Sequence, residues 1–543
     1  MYFQSTAKLL AVLGLVTCAL APPAWAAKKP KKVAAPVVTE PEKPWPLSAP
    51  WQLDKFTLAN GMRVVVHTDR AAPLVAMGIM VDVGSRDETE GLSGIAHFFE
   101  HMMFQGSKHA AKMEHMTALE AQGGDVNANT SADRTWYYQV VPRPALQLAL
   151  WLEADRFANL VIDAANVENQ RQTVMEELRE RYDNKPLVRS HLELIQKVYA
   201  TWRMGHATIG QIVDLQKAPL HAFQEFWKQW YSPNNCVLVL SGDIDVATAR
   251  PLVEATLGLV PKRGEVIRAK FDEPAPVGHQ ALAIEDKLTR APAVHLAWKV
   301  PAHPHKDADA IDLLAEILGS GDSSRLQKRL VRENTLASGY SAGTHGRRDS
   351  DLLQVYIALA EPGPTGMAEA KKRVREEILS IAQLGVSEAE LRRARVAFET
   401  GWVQAAGNAG RRAELIATFE TFYGDGNMLA DVLPRYRAVT AADVQRVART
   451  YLTWDRETEL DVLPPGAAKP SALPKPSALP KPDWIKKAEK AISDDEARRK
   501  AAELKAQDAA QRKAMAPAPV PPPADATPSA VPLAAPATGE GAK

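Results

Sequence analysis

The sequence predicts an α+β protein: two similar sandwich-like domains, each a sheet packed with helices, followed by a disordered tail. Three observations carry this. Strand-like apolar runs and helical patterns intermingle over 51–262. The same order of strands, helix, strand and helices returns over 279–463. The last 80 residues hold 15 of the chain's 39 prolines, a composition that cannot bury a core. The rest is ordinary for a globular chain, with 543 residues of which 46% are hydrophobic and 24% charged. Lys+Arg (66) balances Asp+Glu (65) for a formal charge of +1, so the basic excess of a nucleic-acid binder is missing. Two cysteines make no disulfide framework. No apolar run reaches the roughly 20 residues of a transmembrane anchor.

Taken in order, 1–26 reads as a secretory signal. Lys8 supplies the positive charge, Leu9 to Leu20 the apolar stretch and Ala24-Trp25-Ala26 the small-x-small cleavage pattern. This implies export, to the periplasm or alternatively to the medium, with Cys236 the one thiol left after cleavage. Residues 27–50, rich in Lys, Pro and Ala, form a flexible lead-in. The first domain, 51–262, opens with a hairpin signature around Asn60-Gly61 and a strand from Val75 to Val83. Helices follow at Gly94–Phe104 and Ala111–Gln122, then a strand at Thr135–Val141, helices to Ala200 and an apolar strand at Cys236–Leu240. A Pro-containing linker, 263–278, leads to strands at Ala281–Ile284 and Ala293–Val300, a helix at Ala308–Leu318, a strand at Leu352–Ala360 and helices from Gly366 to Asp425. The tail, 464–543, repeats KPSALP at Lys469 and Lys475, carries a charged helical segment at 484–515 and ends Pro/Ala-rich.

The sharpest motif is His97-Phe98-Phe99-Glu100-His101. Positions four apart share a helix face, so His97 and His101 can present two imidazoles to one ion. Zinc accepts such ligands at about 2.0–2.1 Å, and Glu100 projects near the same face as a base for water acidified by the ion. Ser93 is the expected N-cap of this helix and Gly106 its stop. A catalytic zinc site needs a third protein ligand from another element. Phe98, Phe99, Met102 and Met103 read as core, Cys236 as a small buried hydrophobe, and His109, His115, His303 and His305 as surface residues.

H-x-x-E-H is the mark of the inverted zincins, and its surroundings resemble the pitrilysin/insulinase metallopeptidases. The likeness is greatest to the short branch that includes mitochondrial processing peptidase and bacterial homologues. It spans about 52–463 and rests on Gly91 to Ala96, Met103 to Ser107, Gly124 to Ala128, Thr130-Ser131, Tyr231 to Asn235, Ser241 to Asp243, Ser323 to Leu326 and Leu330 to Glu333. The resemblance implies a clamshell of two domains, the second catalytically silent, and one Zn2+ per chain. It also implies a zinc-dependent endopeptidase acting on peptides or unfolded polypeptides, exported by virtue of the 1–26 signal. It puts the third ligand on Glu177, with Glu176 as runner-up, and Gln170 where the family often has a supporting glutamate.

The resemblance further implies that a peptide substrate adds as a strand at Asn127 and Ala128, though these residues read equally as a turn after Gly123-Gly124. It matches Arg332 to an arginine that reaches the substrate carbonyl. Ser338 stands where the family has tyrosine. Tyr340, two residues on, is a substitute, or more readily an ordinary packed tyrosine. That departure keeps two alternatives open: a zinc-bearing subunit that needs a zinc-less homologous partner, or a non-catalytic peptide-binding subunit. Homodimer and heterodimer are both compatible with the sequence.

Overall fold

The structure, a computed structural model, describes residues 51–269, 272–275, 278–360, 363–467 and 481–515. The export signal, the lead-in, the KPSALP repeats and the Pro/Ala-rich end lie outside the described residues. The described residues fall into two units, divided between Ile485 and Lys486. A 33-residue helix runs from Asp483 to Met515.

The first sheet contains β1 (Leu53–Thr57), β2 (Arg63–Thr68), β3 (Leu74–Val81), β4 (Asp125–Thr130), β5 (Thr135–Pro142) and β6 (Cys236–Gly242), in the order β1-β2-β6-β3-β5-β4. Only β2 and β6 run parallel. The second sheet contains β7 (Gln280–Glu285), β8 (Ala293–Pro301), β9 (Ala337–Thr344), β10 (Ser350–Leu359) and β11 (Glu457–Leu463), in the order β7-β11-β8-β10-β9. Here β7 and β11 are the parallel pair. Without β1, the two sheets have one plan: β4 and β9 are matching edge strands. The duplication that the sequence suggested through element order is therefore explicit in topology.

The helices named below are α1 (Ile95–Met102), α2 (Glu114–Glu120), α3 (Leu146–Asn159), α4 (Ala164–Leu178) and α5 (Val188–Val198). On one face of the first sheet, Val64, Met77, Ile79 and Leu238 pack with Phe98 and Phe99 of α1 and Leu150 of α3. The opposite face, through Val65, Ala76, Met80 and Trp136, is covered by Ala413, Ile416 and Ala417 of the helix Ala409–Phe422, which belongs to the second half of the chain. The second sheet is covered in return. Leu194, Ile195 and Val198 of α5 pack on Ala293, Ala297, Leu352 and Leu460. Each half thus lends a helix to the other's sheet, and much of the apolar burial of each depends on its neighbour.

Two sequence expectations are corrected. His115 is buried on α2, its Nε2 3.4 Å from the Gln139 side chain, because the apolar stripe of this helix turns it inward with Met116 and Leu119. His303 is only partly exposed, bonded at 3.0 Å to Asp312, while His109 and His305 are exposed as expected. Cys236 is buried and free.

The α5 seam contains three imidazoles. His191 stacks on His345 at 5.1 Å, His345 meets Gln354 at 2.9 Å, and Gln354 meets His295 at 2.7 Å. Burial holds all three well below the usual imidazole range, at about 4 for His191 and about 3 for His295 and His345. The unfolded chain therefore binds more protons below pH about 6.5, and stability should fall as pH drops from there toward 4. Asp351, raised by burial to about 6, opposes this in part. Unfolding midpoints measured from pH 7 to 4.5 should fall, and less steeply in His191→Phe; an equal slope in both proteins would contradict the assignment.

Candidate metal centre

Helix α1 is amphipathic in the strict sense. Ile95, Phe98, Phe99 and Met102 form a buried stripe at i, i+3, i+4 and i+7, with Phe98 4.5 Å from Phe223 and Phe99 4.6 Å from Tyr231. His97, Glu100 and His101 share the remaining face. The start of the helix differs from expectation. Gly94, at φ +89°, occupies the cap position, and its own backbone meets that of Ile209 and Gly210 so closely that no Cβ would fit. Ser93 instead donates its hydroxyl to Asp214 at 2.5 Å. The orphan amides are capped by Glu88, whose buried carboxylate accepts from Gly94 and Ala96, each at 2.8 Å, and lies 2.8 Å from His206. The helix ends at Met102, ahead of Gly106.

The other partner is α4, capped by Asp163, which accepts the Asn166 amide at 2.8 Å. Val167, Gln170, Val174 and Glu177 follow spacings of three, four and three, which is one inward stripe. Glu176 lies off that stripe, exposed and paired with Arg179 at 3.0 Å. Glu177 Oε1 is 3.7 Å from His97 Nε2, and Oε2 is 3.1 Å from His101 Nε2. Ligands at about 2.0–2.1 Å around a tetrahedral ion stand about 3.3–3.4 Å apart, so these separations fit one small divalent cation. The three side chains are 12%, 23% and 13% exposed, leaving the group open on one side as a catalytic position requires.

The donor chemistry fits as well. Burial, then neighbouring His101, lowers His97 to about 3, so its imidazole is neutral and free to ligate. Burial raises Glu177, but the His101 hydrogen bond and the charges of His97, His101 and Arg181 outweigh it and bring the carboxyl to about 2. Arg181 pairs with Glu177 at 2.8 Å. His97 Nδ1 is buried without a hydrogen-bond partner, at the position where ligating histidines ordinarily find an orienting acceptor. Gln170 is buried on α4, and its amide donates to Asn169 at 2.9 Å.

Glu100 stands beside the group. Its Oε2 accepts a 2.6 Å hydrogen bond from Thr130, the last residue of β4. Burial raises its proton affinity, offset only in part by His101 and the Thr130 hydroxyl. Asn127 and Ala128 lie on β4, not in a turn, at the edge of the sheet beside α1. Arg332 is exposed at the end of a short π-type turn, and the Tyr340 hydroxyl lies 3.1 Å from that of Ser324. Among the described residues, neither is hydrogen-bonded or ion-paired to the histidine–glutamate group. Thr130, Glu88 and Arg134 are site neighbours to which sequence reasoning gave no role. Only Thr130 carried a signal, standing within a matched motif.

Among the described residues a second group, His279, Glu457 and Glu459, also gathers ligand-type atoms. Its carboxylates are already neutralised by Arg375, which donates to Glu457 at 3.1 Å and pairs with Glu459.

The chain is similar to several known proteins. Residues 63–210 match the family model described as Insulinase (Peptidase family M16), and 218–398 the one described as Peptidase M16 inactive domain. The zinc protease PqqE of Helicobacter pylori is 28% identical over 422 residues, 76% of this chain and 93% of that protein. The β subunit of the mitochondrial-processing peptidase of Blastocladiella emersonii is 26% identical, over 75% of this chain and 88% of that protein. A crystal structure of a protease from Helicobacter pylori superposes with a TM-score of 0.73 at 26% identity, covering 76% of this chain and 99% of that one.

Metal analysis separates the two adjacent glutamates. Glu177→Gln should lose stoichiometric zinc, whereas Glu176→Gln should keep it; the reverse pattern would contradict the ligand assignment.

Proposed function

The chain belongs to the insulinase family of peptidases, family M16, and from that premise we propose that it is an exported, zinc-dependent endopeptidase acting on peptides or unfolded polypeptides. The observation that carries this reading is the convergence of His97, His101 and Glu177 beside Glu100. His97, His101 and Glu177 would hold zinc, which would supply Lewis acidity to water and to a carbonyl oxygen at this position. Glu100 is the base: its carboxylate takes a proton from the attacking water and passes it to the leaving amine. The Thr130 hydroxyl fixes one of its oxygens. Gln170 supports the ligand helix from within the core.

The peptide lies along the edge strand β4 at Asn127 and Ala128, bound by backbone hydrogen bonds that many sequences can make. In this reading Arg332 of the second half acts on the substrate carbonyl, and Tyr340, whose hydroxyl lies 3.1 Å from that of Ser324, is the candidate in the place of the family's tyrosine. One zinc per chain follows from the absence of H-x-x-E-H in 279–463. Export to the periplasm, or to the medium, rests on the 1–26 signal; among the described residues no helix is long and apolar enough to cross a membrane.

A second reading is favoured by Ser338 at the family's tyrosine position, and by a Tyr340 hydroxyl already engaged with Ser324. In this reading the chain is the zinc-bearing subunit of a pair, completed by a zinc-less homologue.

A quenched peptide library assayed with the mature chain tests both readings. Chelation should abolish hydrolysis, and Glu100→Gln should lower it roughly 10²–10⁴-fold while zinc content stays whole. Chelator-sensitive hydrolysis that Glu100→Gln leaves unchanged would overturn the base. Silence of the chain alone, relieved by a zinc-less homologue, would select the second reading.

A further inference from the structure

Resting on Glu100 as the base, we propose that Arg134 and Glu414 are positioning residues for it: an ion pair through which the second half of the chain holds the strand end that orients the catalytic carboxylate. Arg134 lies in the turn between β4 and β5, its side chain only 15% exposed. One guanidinium nitrogen donates to the Asn129 carbonyl at 3.1 Å and also to the Asn129 side chain. Another donates to Glu414 Oε1 at 2.6 Å, and the second oxygen of Glu414 accepts from Arg411 at 2.8 Å. Asn129 directly precedes Thr130, whose hydroxyl holds Glu100. The path from the second half to the base is thus Glu414, Arg134, Asn129–Thr130, Glu100.

Two physical points make this a positioning device. First, β4 is an edge strand with β5 as its one sheet neighbour, and Thr130 is its last residue, so nothing in the sheet itself braces that end from the open side. Glu414, by contrast, sits on a helix fixed against the centre of the same sheet. Ala413, Ile416 and Ala417 pack on it, and Arg412 donates to Ser241 at 3.0 Å and to Asp69 at 2.6 Å. Second, taking an arginine and a glutamate out of water is costly, and an apolar pair would fill the same space at less expense. What an apolar pair lacks is the rigid planar fork that grips a backbone carbonyl and a carboxylate in one geometry.

The experiment measures kcat, KM, zinc content and the unfolding midpoint for Glu414→Gln, Arg134→Lys, Thr130→Val, the Glu414→Gln/Thr130→Val double variant and Glu100→Gln. Glu414→Gln and Arg134→Lys should each lower kcat about 10- to 100-fold, the scale of a misplaced catalytic group, with KM and zinc content nearly unchanged. In the Thr130→Val background, Glu414→Gln should cost little further kcat, because the path is already cut; its effect on the unfolding midpoint should persist. Should Glu414→Gln fail to fold, Arg134→Lys with and without Thr130→Val decides in the same way. Wild-type kcat with a lowered unfolding midpoint would reduce the pair to a structural clasp and overturn the proposal, as would kcat losses that simply multiply with that of Thr130→Val. If Glu100→Gln is silent while both pair variants keep wild-type kcat, this inference alone fails; if Glu100→Gln is active, the base reading fails and this falls with it.

Discussion

One short helix has to do two incompatible things. The residues of α1 must bury one face completely and leave the other polar, partly open and aimed at a single point. Everything else at the site serves that constraint. Phe98 and Phe99 lock the helix into the aromatic cluster around Phe223 and Tyr231, and Glu88 satisfies its first amides from a position no solvent reaches. Only with its roll and axis so fixed can two imidazoles four residues apart meet a carboxylate that arrives from α4. Glu177 then lies 3.7 Å from His97 Nε2 and 3.1 Å from His101 Nε2.

The second half of the chain lacks the zinc motif, yet it is not a passenger. Its helix Ala409–Phe422 closes the outer face of the first sheet, while α5 closes that of the second. In this reciprocal covering neither sheet has its full apolar complement alone. It also puts Glu414 within reach of the turn that follows Thr130, the hydrogen-bond partner of Glu100.

Much of this was legible in the residues. The H-x-x-E-H spacing, the hairpin at Asn60-Gly61 and the apolar runs of β3, β5, β6, β8 and β10 are all local signals, and each element formed within a few residues of its expected bounds. Three kinds of feature escaped. β9, made of small and polar residues from Ala337 to Thr344, and β4 carry little strand signal, because an edge strand needs only one partner. β11 alternates acidic and apolar residues and reads as half-exposed, yet it is central; Arg375 and Lys371 neutralise Glu457, Glu459 and Asp461 on its polar face. Long-range partners such as Glu88 with α1, or Arg134 with Glu414 across 280 positions, leave no pattern in the sequence between them. The choice of Glu177 over Glu176 came from family resemblance; the physical reason, a place on the inward stripe of α4, needed the fold.

The central claim is that two imidazole nitrogens and one carboxylate oxygen close on one ion. X-ray absorption at the zinc edge of the purified, folded chain tests it most directly. The account requires one zinc per chain with two nitrogen scatterers of imidazole type and light oxygen donors at about 2.0–2.2 Å. A folded chain that binds no zinc, or one whose absorption is unchanged when His97 and His101 are both replaced, would contradict it.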